Sequence, residues 1–588
     1  MQYDSWTSIP SMFFDMAGQS AGRPFLWAKE DGTWRPRNWE DVARDVRRLA
    51  AGLTALGLQP GDRVVLASEN RPEWAIADLA IMAAGGITVP AYTTYTRELH
   101  EHVLKDSGAT MAFVSGERLA GTFLPAAAAA DVSCVIAMDS VTASGDVRVV
   151  PWSDASTGET VDVESRIAAI ERKATAWLIY TSGTGGLPKG VILCHHALVS
   201  NLKSIWLGVR PMLSGIETFL SFLPLSHAYE HTAGFFFPIS IGAEIRYAEG
   251  VDTLITNMPE TRPTIMTCVP RLYEVMRQRI LAGVNRQGGM KKRLFERAVE
   301  LGSRRSRGES LGLFERLQDR VLDKLVRDKV RGRFGGRLTA MVSGGAALNP
   351  EVGTLFSALG LTLLQGYGQT EAAPVISCNL PEHIRMASVG RPLPEVEVKI
   401  ADDGEILVAG GLLMDGYWNN RQATSEVLRD GWLHTGDIGE FDDDGFLTIT
   451  DRKKDIIVNS GGDNIAPQRV EGILNLEPEI AQCMVVGDRR PHLVALVVPD
   501  DTWLAGFARE RGLEADLASL AGHDALDTAI KAAVDRANAN LSLIEKVKRV
   551  MVAPEPFTVE NRLMTPTLKI RRHVVRERFG ARLDALYG

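Results

Sequence analysis

The sequence predicts an α/β protein: a large N-terminal domain of mostly parallel sheets with helices, residues 1–453, and a small C-terminal α+β domain, residues 454–588. Three observations predict it. From Asp62 onward, short β-branched runs alternate with helical patterns, the signature of parallel sheets covered on both faces. After about Gly390 the texture changes to short, closely spaced strands. The chain's 588 residues also exceed the roughly 250–300 at which a single core stops growing.

The elements follow in order. DRVVLAS (62–68) reads as a strand, EWAIADLAIMAAGG (73–86) as a helix ended by glycines, and ITVPAY (87–92) as a strand. ATMAFVS (109–115), VSCVIAM (132–138), TAWLIY (175–180), PTIMTCV (263–269) and LTAMVSGG (338–345) continue the strand series. VEVKIADDGEILVAG (396–410) and GFLTITDRKKDIIVNSGG (445–462) carry the short strands. The charged DRKKD turn, 451–455, holds the expected domain boundary. Beyond it, CMVVGD and LVALVVPD are strands and 524–541 is helical.

Residues 271–337 differ, being helical by their three- and four-residue apolar spacing. They hold 19 Lys and Arg against 8 Asp and Glu, a local +11 in a chain of net charge −8. This basic insert has two readings: a solvated amphipathic helical pair, or an electrostatic foot for anionic membrane lipids.

Hydrophobic residues at 45% and charged residues at 23% argue against disorder. The five cysteines are scattered without a CxxC pair, which excludes a zinc or dithiol motif and fits buried thiols in a reducing compartment. The N-terminus lacks a basic start followed by an apolar run, so no signal peptide is expected. No run reaches ~18 uninterrupted apolar residues, so no membrane span is expected either. The apolar runs 234–241 and 124–130 read as core. The expected location is cytoplasmic, with peripheral contact at the cytoplasmic membrane face as the alternative that the insert raises.

The strongest chemical signal is YTSGTGGLPKG, 180–190, directly after the apolar run AWLI. Glycines let backbone N–H groups approach an anion, while hydroxyls and an ammonium add donors, so this is a phosphate loop. It is not the G-x-x-x-x-G-K-[ST] loop, because Lys189 is followed by Gly190 and the magnesium-binding hydroxyl of that motif is absent. Downstream come SGGAA (343–347), QGYGQTE (365–371), WLHTGD (432–437), DRKKD (451–455) and NRLMTPTLK (561–569).

In this order these motifs resemble the AMP-forming acyl-adenylate synthetases, a family that includes acyl-CoA synthetases, firefly luciferase and peptide-synthetase adenylation domains. The resemblance runs from about Ser5 to Arg572. Two departures stand out: Gly185 replaces the loop's second threonine, and Asp451 replaces the hinge glycine. SFLPLSHAYE (221–230) and TPTLK (565–569) are similar to the long-chain fatty acyl-CoA synthetase branch.

The resemblance implies ATP, Mg²⁺, CoA and a fatty acid as the small-molecule partners, with no nucleic acid, and it is compatible with a homodimer. It implies nucleotide contacts at Thr181, Ser182, Gly183, Thr184, Lys189, Gly344, Gly345, Ala346, Gln365, Gly366, Tyr367, Gly368, Thr370, Asp437, Arg452 and Lys569. In that scheme Tyr367 lies against adenine and Asp437 takes the ribose hydroxyls, a job for an acceptor-only carboxylate. The catalytic set is Lys569, Thr184, Glu371 and His227, with Thr184 and Glu371 at the metal. A carboxylate beside a triphosphate calls for a cation between them, and one ammonium reaching both carboxylate and α-phosphate would stabilise the developing charge. His227, Tyr229, His231, Gly461 and Gly462 are expected to meet substrate, and Lys454 is the pivot on which a mobile C-terminal domain turns. Either histidine has a second reading as a structural residue. Of Phe235, Phe236 and Phe237, at least two are expected to pack in the core, since three consecutive aromatics cannot all face one tunnel.

Overall fold

The computed structural model describes residues 2–142, 147–157, 163–181, 187–565 and 568–588. It is mixed α/β, with the larger N-terminal part built on mostly parallel sheets. In one sheet the strands Leu363–Gly368, Ala340–Ser343, Ile265–Cys268, Thr218–Ser221, Glu244–Tyr247 and Pro24–Glu30 lie side by side and run parallel. In a second, Thr175–Thr181, Ile87–Ala91, Arg63–Ala67, Met111–Val114, Cys134–Ala137 and Val149–Pro151 do the same. Val65 stands opposite Val89 on one side and Ala112 on the other, so the β-branched runs form the interior of the sheet.

Helix Pro72–Ala83 explains how the two sheets join. It is apolar on nearly every side, which suits a helix with no solvent face, and all its residues but Glu73 are buried. It packs against strands of both sheets. Its one interior carboxylate, Asp78, is fully buried and meets His231 Nε2 at 3.0 Å. His231 belongs to the segment Glu230–Phe236, a second central element, wound as a π-helix. Its ring lies between Trp177, with centroids 3.7 Å apart, and Trp74 at 4.8 Å. A buried charge persists only when paired and hydrogen-bonded, and this pair also ties together the two helices of the central layer.

A third, antiparallel sheet follows. Its strand Trp432–Phe441 pairs with Leu447–Arg452 in a register that sets Asp437 opposite Arg452. The C-terminal residues gather around the strands Ile480–Val486, Leu493–Pro499 and Val547–Val552, with apolar clusters of their own on both faces. They meet the larger part through a few polar contacts, among them Arg271 Nη1 to the Ala481 carbonyl (2.8 Å) and Asn349 Nδ2 to the Gly472 carbonyl (2.7 Å).

The basic insert is helical, as Pro270–Gln287, Gly289–Ser306 and Leu313–Leu322. It is anchored by Arg327, a fully buried cation that donates to the Ala358 and Ala298 carbonyls (2.7 and 2.8 Å) and to Asp319 Oδ1 (2.7 Å). Beside it, Gly302 lets helix Gly289–Ser306 press onto the end of helix Pro350–Ala358. A Cβ there would stand 2.4 Å from the Ala358 oxygen and 2.7 Å from its Cα. Gly302→Ala is therefore expected to lower stability by about 1–3 kcal/mol through overpacking, read as a lower urea midpoint at unchanged slope. An unchanged midpoint would refute this contact.

Candidate active site

A cleft of about 1950 Å³ opens between the larger part and the C-terminal residues. Parallel strands deliver its floor: Thr181, Ser343 and Gly368 are each the last residue of a strand, the end at which open α/β sheets place ligands. Gly344 follows directly, where a Cβ would sit 2.9 Å from the Tyr229 ring. That ring is held in place by its phenol, which donates to the Val342 carbonyl at 3.0 Å. Gly345 takes a left-handed turn (φ +84°) that glycine adopts without strain. At Gly368 a Cβ would lie 1.9 Å from the Pro374 oxygen, so only glycine admits the hairpin that follows.

Asp437 is the buried hub of the cleft. It accepts from Tyr367 Oη at 2.6 Å and from Arg452 Nε at 3.0 Å. Burial opposes the charge of Arg452, but the Asp437 and Asp455 carboxylates outweigh it and hold the guanidinium pKa above its ordinary value. Lys569 enters from the C-terminal side on a tight loop, its N–H donating to Thr565 Oγ1 (3.1 Å) and its carbonyl accepting from Thr565 N (2.8 Å). Burial, and then the positive Arg452, push the Lys569 ammonium down to about 8, against the pull of Asp437. Burial and the charge of Lys569 push His227 down to about 3, so its imidazole is neutral at physiological pH.

Glu371 stands on the other side of the nucleotide motif. Its Oε1 accepts from Tyr417 Oη at 2.8 Å, and the Lys189 ammonium lies 5.3 Å from the centroid of the same tyrosine ring. Strand pairing brings this about: Gly416–Tyr417 lies antiparallel to Lys189–Cys194, with Tyr417 opposite Val191. Tyr417 thus couples an anion, Glu371, and a cation, Lys189, on one wall of the cleft. The motif series does not include it, because this long-range strand pairing is what brings it to the site.

The lining of the cleft also includes an apolar set, Ile205, Val209, Met212, Phe219, Phe237 and Ile265. Phe237 lines the cleft, whereas Phe235 and Phe236 are fully buried. Thr267, on its wall, donates to the buried Glu230, whose carboxyl burial raises to about 7.

The cleft therefore gathers Thr181, Lys189, His227, Tyr229, Gly344, Gly345, Ala346, Gln365, Gly366, Tyr367, Gly368, Thr370, Glu371, Asp437, Arg452, Lys454 and Lys569. Ser182, Gly183 and Thr184 lie outside the described residues. His231 is corrected: it does not line the cleft but is core, enclosed by tryptophans and spent on Asp78. Gly461 and Gly462 form a turn outside the cleft, with Gly461 N–H on Asn459 Oδ1 (2.8 Å). Gln365 Oε1 is buried without a partner among the described residues, an acceptor that an exocyclic amine would satisfy. No cluster of three or more metal-ligating side chains occurs among them. Glu371 alone still fits a hard cation such as Mg²⁺, which binds through one or two carboxylates and takes its remaining ligands from water and phosphate.

Comparison with known proteins places these observations. Residues 13–418 match the family model of an AMP-binding enzyme, and residues 454–588 match that of an AMP-binding enzyme C-terminal domain. A long-chain-fatty-acid–CoA ligase, FadD15, of Mycobacterium bovis is 36% identical over 567 residues, covering 95% of this chain and 93% of the relative. A peroxisomal long chain acyl-CoA synthetase 6 of Arabidopsis thaliana is 32% identical, covering 92% of this chain and 80% of the relative. Among solved structures, the adenylation domain of a carboxylate reductase from Mycobacterium chelonae superposes with a TM-score of 0.78 at 21% identity, covering 99% of this chain and 91% of that one.

Tyr417→Phe removes the donor to Glu371 while keeping the ring under Lys189. A hydrogen bond to a charged group supports an expected loss of MgATP affinity of about tenfold or more, measured by calorimetry. Unchanged affinity would take Tyr417 out of the phosphate side of the site.

Proposed function

This chain belongs to the AMP-binding enzyme family, and from that premise we propose that it is a long-chain fatty acid–CoA ligase, converting ATP, a fatty acid and CoA to acyl-CoA, AMP and pyrophosphate. The observation that carries the reading is the meeting of Lys569, Asp437 and His227 in one cleft whose lining also holds an apolar set of side chains. An acid whose chain packs against that set would present its carboxylate where an ammonium already stands.

In the first step the carboxylate oxygen attacks the α-phosphorus of ATP. The bond to the pyrophosphate oxygen breaks, and a mixed anhydride, acyl-AMP, forms. Lys569 contacts both carboxylate and α-phosphate and stabilises the charge that builds between them. Gln365, Gly344, Gly345 and Ala346 hold the base, Asp437 and Arg452 the ribose, and Thr181, Thr370 and Lys189 the phosphates. Mg²⁺ would be held by Glu371, with Thr184 as second donor, and would neutralise phosphate charge. In the second step residues 454–588 turn about Lys454, withdraw Lys569 and present the Gly461–Gly462 turn. The CoA thiolate then attacks the acyl carbon and AMP leaves with the electron pair.

Five buried thiols with no disulfide support a reducing, cytoplasmic setting. Among the described residues, no helix is long and apolar enough to cross a membrane. The same reading includes peripheral contact of the basic insert with the cytoplasmic membrane face.

Purified protein given MgATP, CoA and acids from acetate to long-chain and aryl acids is expected to yield long-chain thioesters with stoichiometric AMP, identified by mass. Short or aryl products would overturn the substrate class. Lys569→Ala is expected to lower acyl-AMP formation by about 100- to 1000-fold while sparing thioester formation from supplied acyl-AMP; equal loss of both would refute the assignment. With its pKa near 8, Lys569 is charged below that value and neutral above it. The kcat/KM for pyrophosphate release should therefore fall as pH rises through 8. Lys569→Arg, always charged, should abolish that limb even at a reduced rate, and a limb that persists in the arginine variant belongs to another group.

A further inference from the structure

The basic insert distributes its charges in an order opposite to that of an ordinary surface helix. Along Leu313–Leu322 and the turn that continues it, Leu313, Phe314, Leu317, Val321 and Leu325 fall at helical spacing and are 46–87% exposed. The carboxylates of the same stretch are engaged in ion pairs toward the protein. Glu315 binds Arg304 at 2.6 Å, Asp319 binds Arg327 at 2.7 Å and Arg305 at 3.1 Å, and Asp323 binds Arg331 at 2.8 Å. Arg316, Arg320 and Lys324 lie along one edge of the apolar stripe and are exposed. Among the described residues none of the three has a carboxylate within ion-pair distance, and Arg316 donates only to the Leu311 carbonyl. Five large apolar side chains in water are an unusual load for a helix that already has a packed face in Leu322 and Arg327.

We propose that this outward face, Leu313, Phe314, Leu317, Val321 and Leu325 bordered by Arg316, Arg320 and Lys324, docks the enzyme on an anionic phospholipid surface. The argument for that occupant is charge complementarity. An apolar stripe that enters the headgroup boundary, beside cations left unpaired and with the nearby acids turned away, is the composition of an interfacial amphipathic helix. A chain of net charge −8 needs such a local inversion to approach an anionic surface at all. A long-chain acid partitions into the same surface, so the face would set the enzyme where that substrate is concentrated. The inference deepens the peripheral-membrane part of the proposed function. Its test is decided by vesicle binding, with turnover only a control on the variants, so its failure would leave the ligase reading standing, and failure of that reading would leave the surface testable.

Full-length protein is co-sedimented with vesicles of phosphatidylcholine alone and of phosphatidylcholine with phosphatidylglycerol. The wild type should bind the anionic vesicles, with binding weakened by salt, and should leave the neutral ones largely in the supernatant. R320E/K324E should lose binding at least tenfold, since each Lys or Arg near an anionic surface changes partitioning by about fivefold. F314E/L317E should lose it as well, and both variants should keep wild-type circular dichroism and acyl-CoA synthesis in detergent solution. Wild-type protein that binds neither vesicle, or binding that F314E/L317E leaves intact, would overturn the proposal. So would a dimer in analytical ultracentrifugation that F314E/L317E dissociates without any vesicle binding, an outcome that assigns the face to a second copy of the chain.

Discussion

Asp437 is the one carboxylate on which the arrangement of the cleft turns. It is nearly out of reach of water, and a charge so placed needs partners that persist. Those partners come from separate parts of the chain. Tyr367 stands near the end of a parallel strand, and Arg452 stands opposite Asp437 in an antiparallel pair. Losing either would leave a buried charge short of a donor, so strand register in two different sheets is tied to one side chain. The same carboxylate favours the charged form of Lys569, against burial and the charge of Arg452.

The charged groups of the cleft consequently oppose one another. Lys569 and Arg452 repel one another, and His227 is kept neutral by burial and by the lysine's charge. Lowering a lysine from 10.5 to about 8 withholds on the order of 3–4 kcal/mol from the charged form. Phosphate and carboxylate charges are what would release it. A site that favours anions in this way binds most tightly where anionic charge is densest, which for attack on an α-phosphate is the transition state. The cost is carried in advance by the fold, which is the sense in which such sites are preorganised.

Much of this is legible in the amino-acid sequence. The alternation of β-branched runs with helices follows from burial of parallel strands on both faces, and each of those runs is a strand in the fold. The motif series works because backbone chemistry constrains it: Gly344 must admit the Tyr229 ring and Gly368 the Pro374 carbonyl, so these positions leave a local trace. What is not legible depends on long-range pairing. His227 and His231 sit in one short stretch, and only its packing sends the first to the cleft and the second to Asp78, 153 residues earlier in the chain. Tyr417 matters because its strand lies beside the one that starts at Lys189, a pairing no local pattern announces. Arg327 counts among the insert's cations, yet it is wholly buried and structural. Net charge records how many cations there are and not which of them face water.

That distinction bears on the insert as a whole. Arg304, Arg305, Arg327 and Arg331 are consumed in holding its helices together, so the excess of positive charge is not spread evenly over its surface. The carboxylates that neutralise those four are the ones an exposed helix would ordinarily display. Turning them inward stabilises the helix packing and, by the same geometry, leaves Arg316, Arg320 and Lys324 outward beside an apolar stripe. One set of ion pairs thus does two things, securing the insert's helices to one another and leaving unpaired cations on its outer face. A solvated helical pair requires only the first, and the exposed leucines and phenylalanine have no part in it.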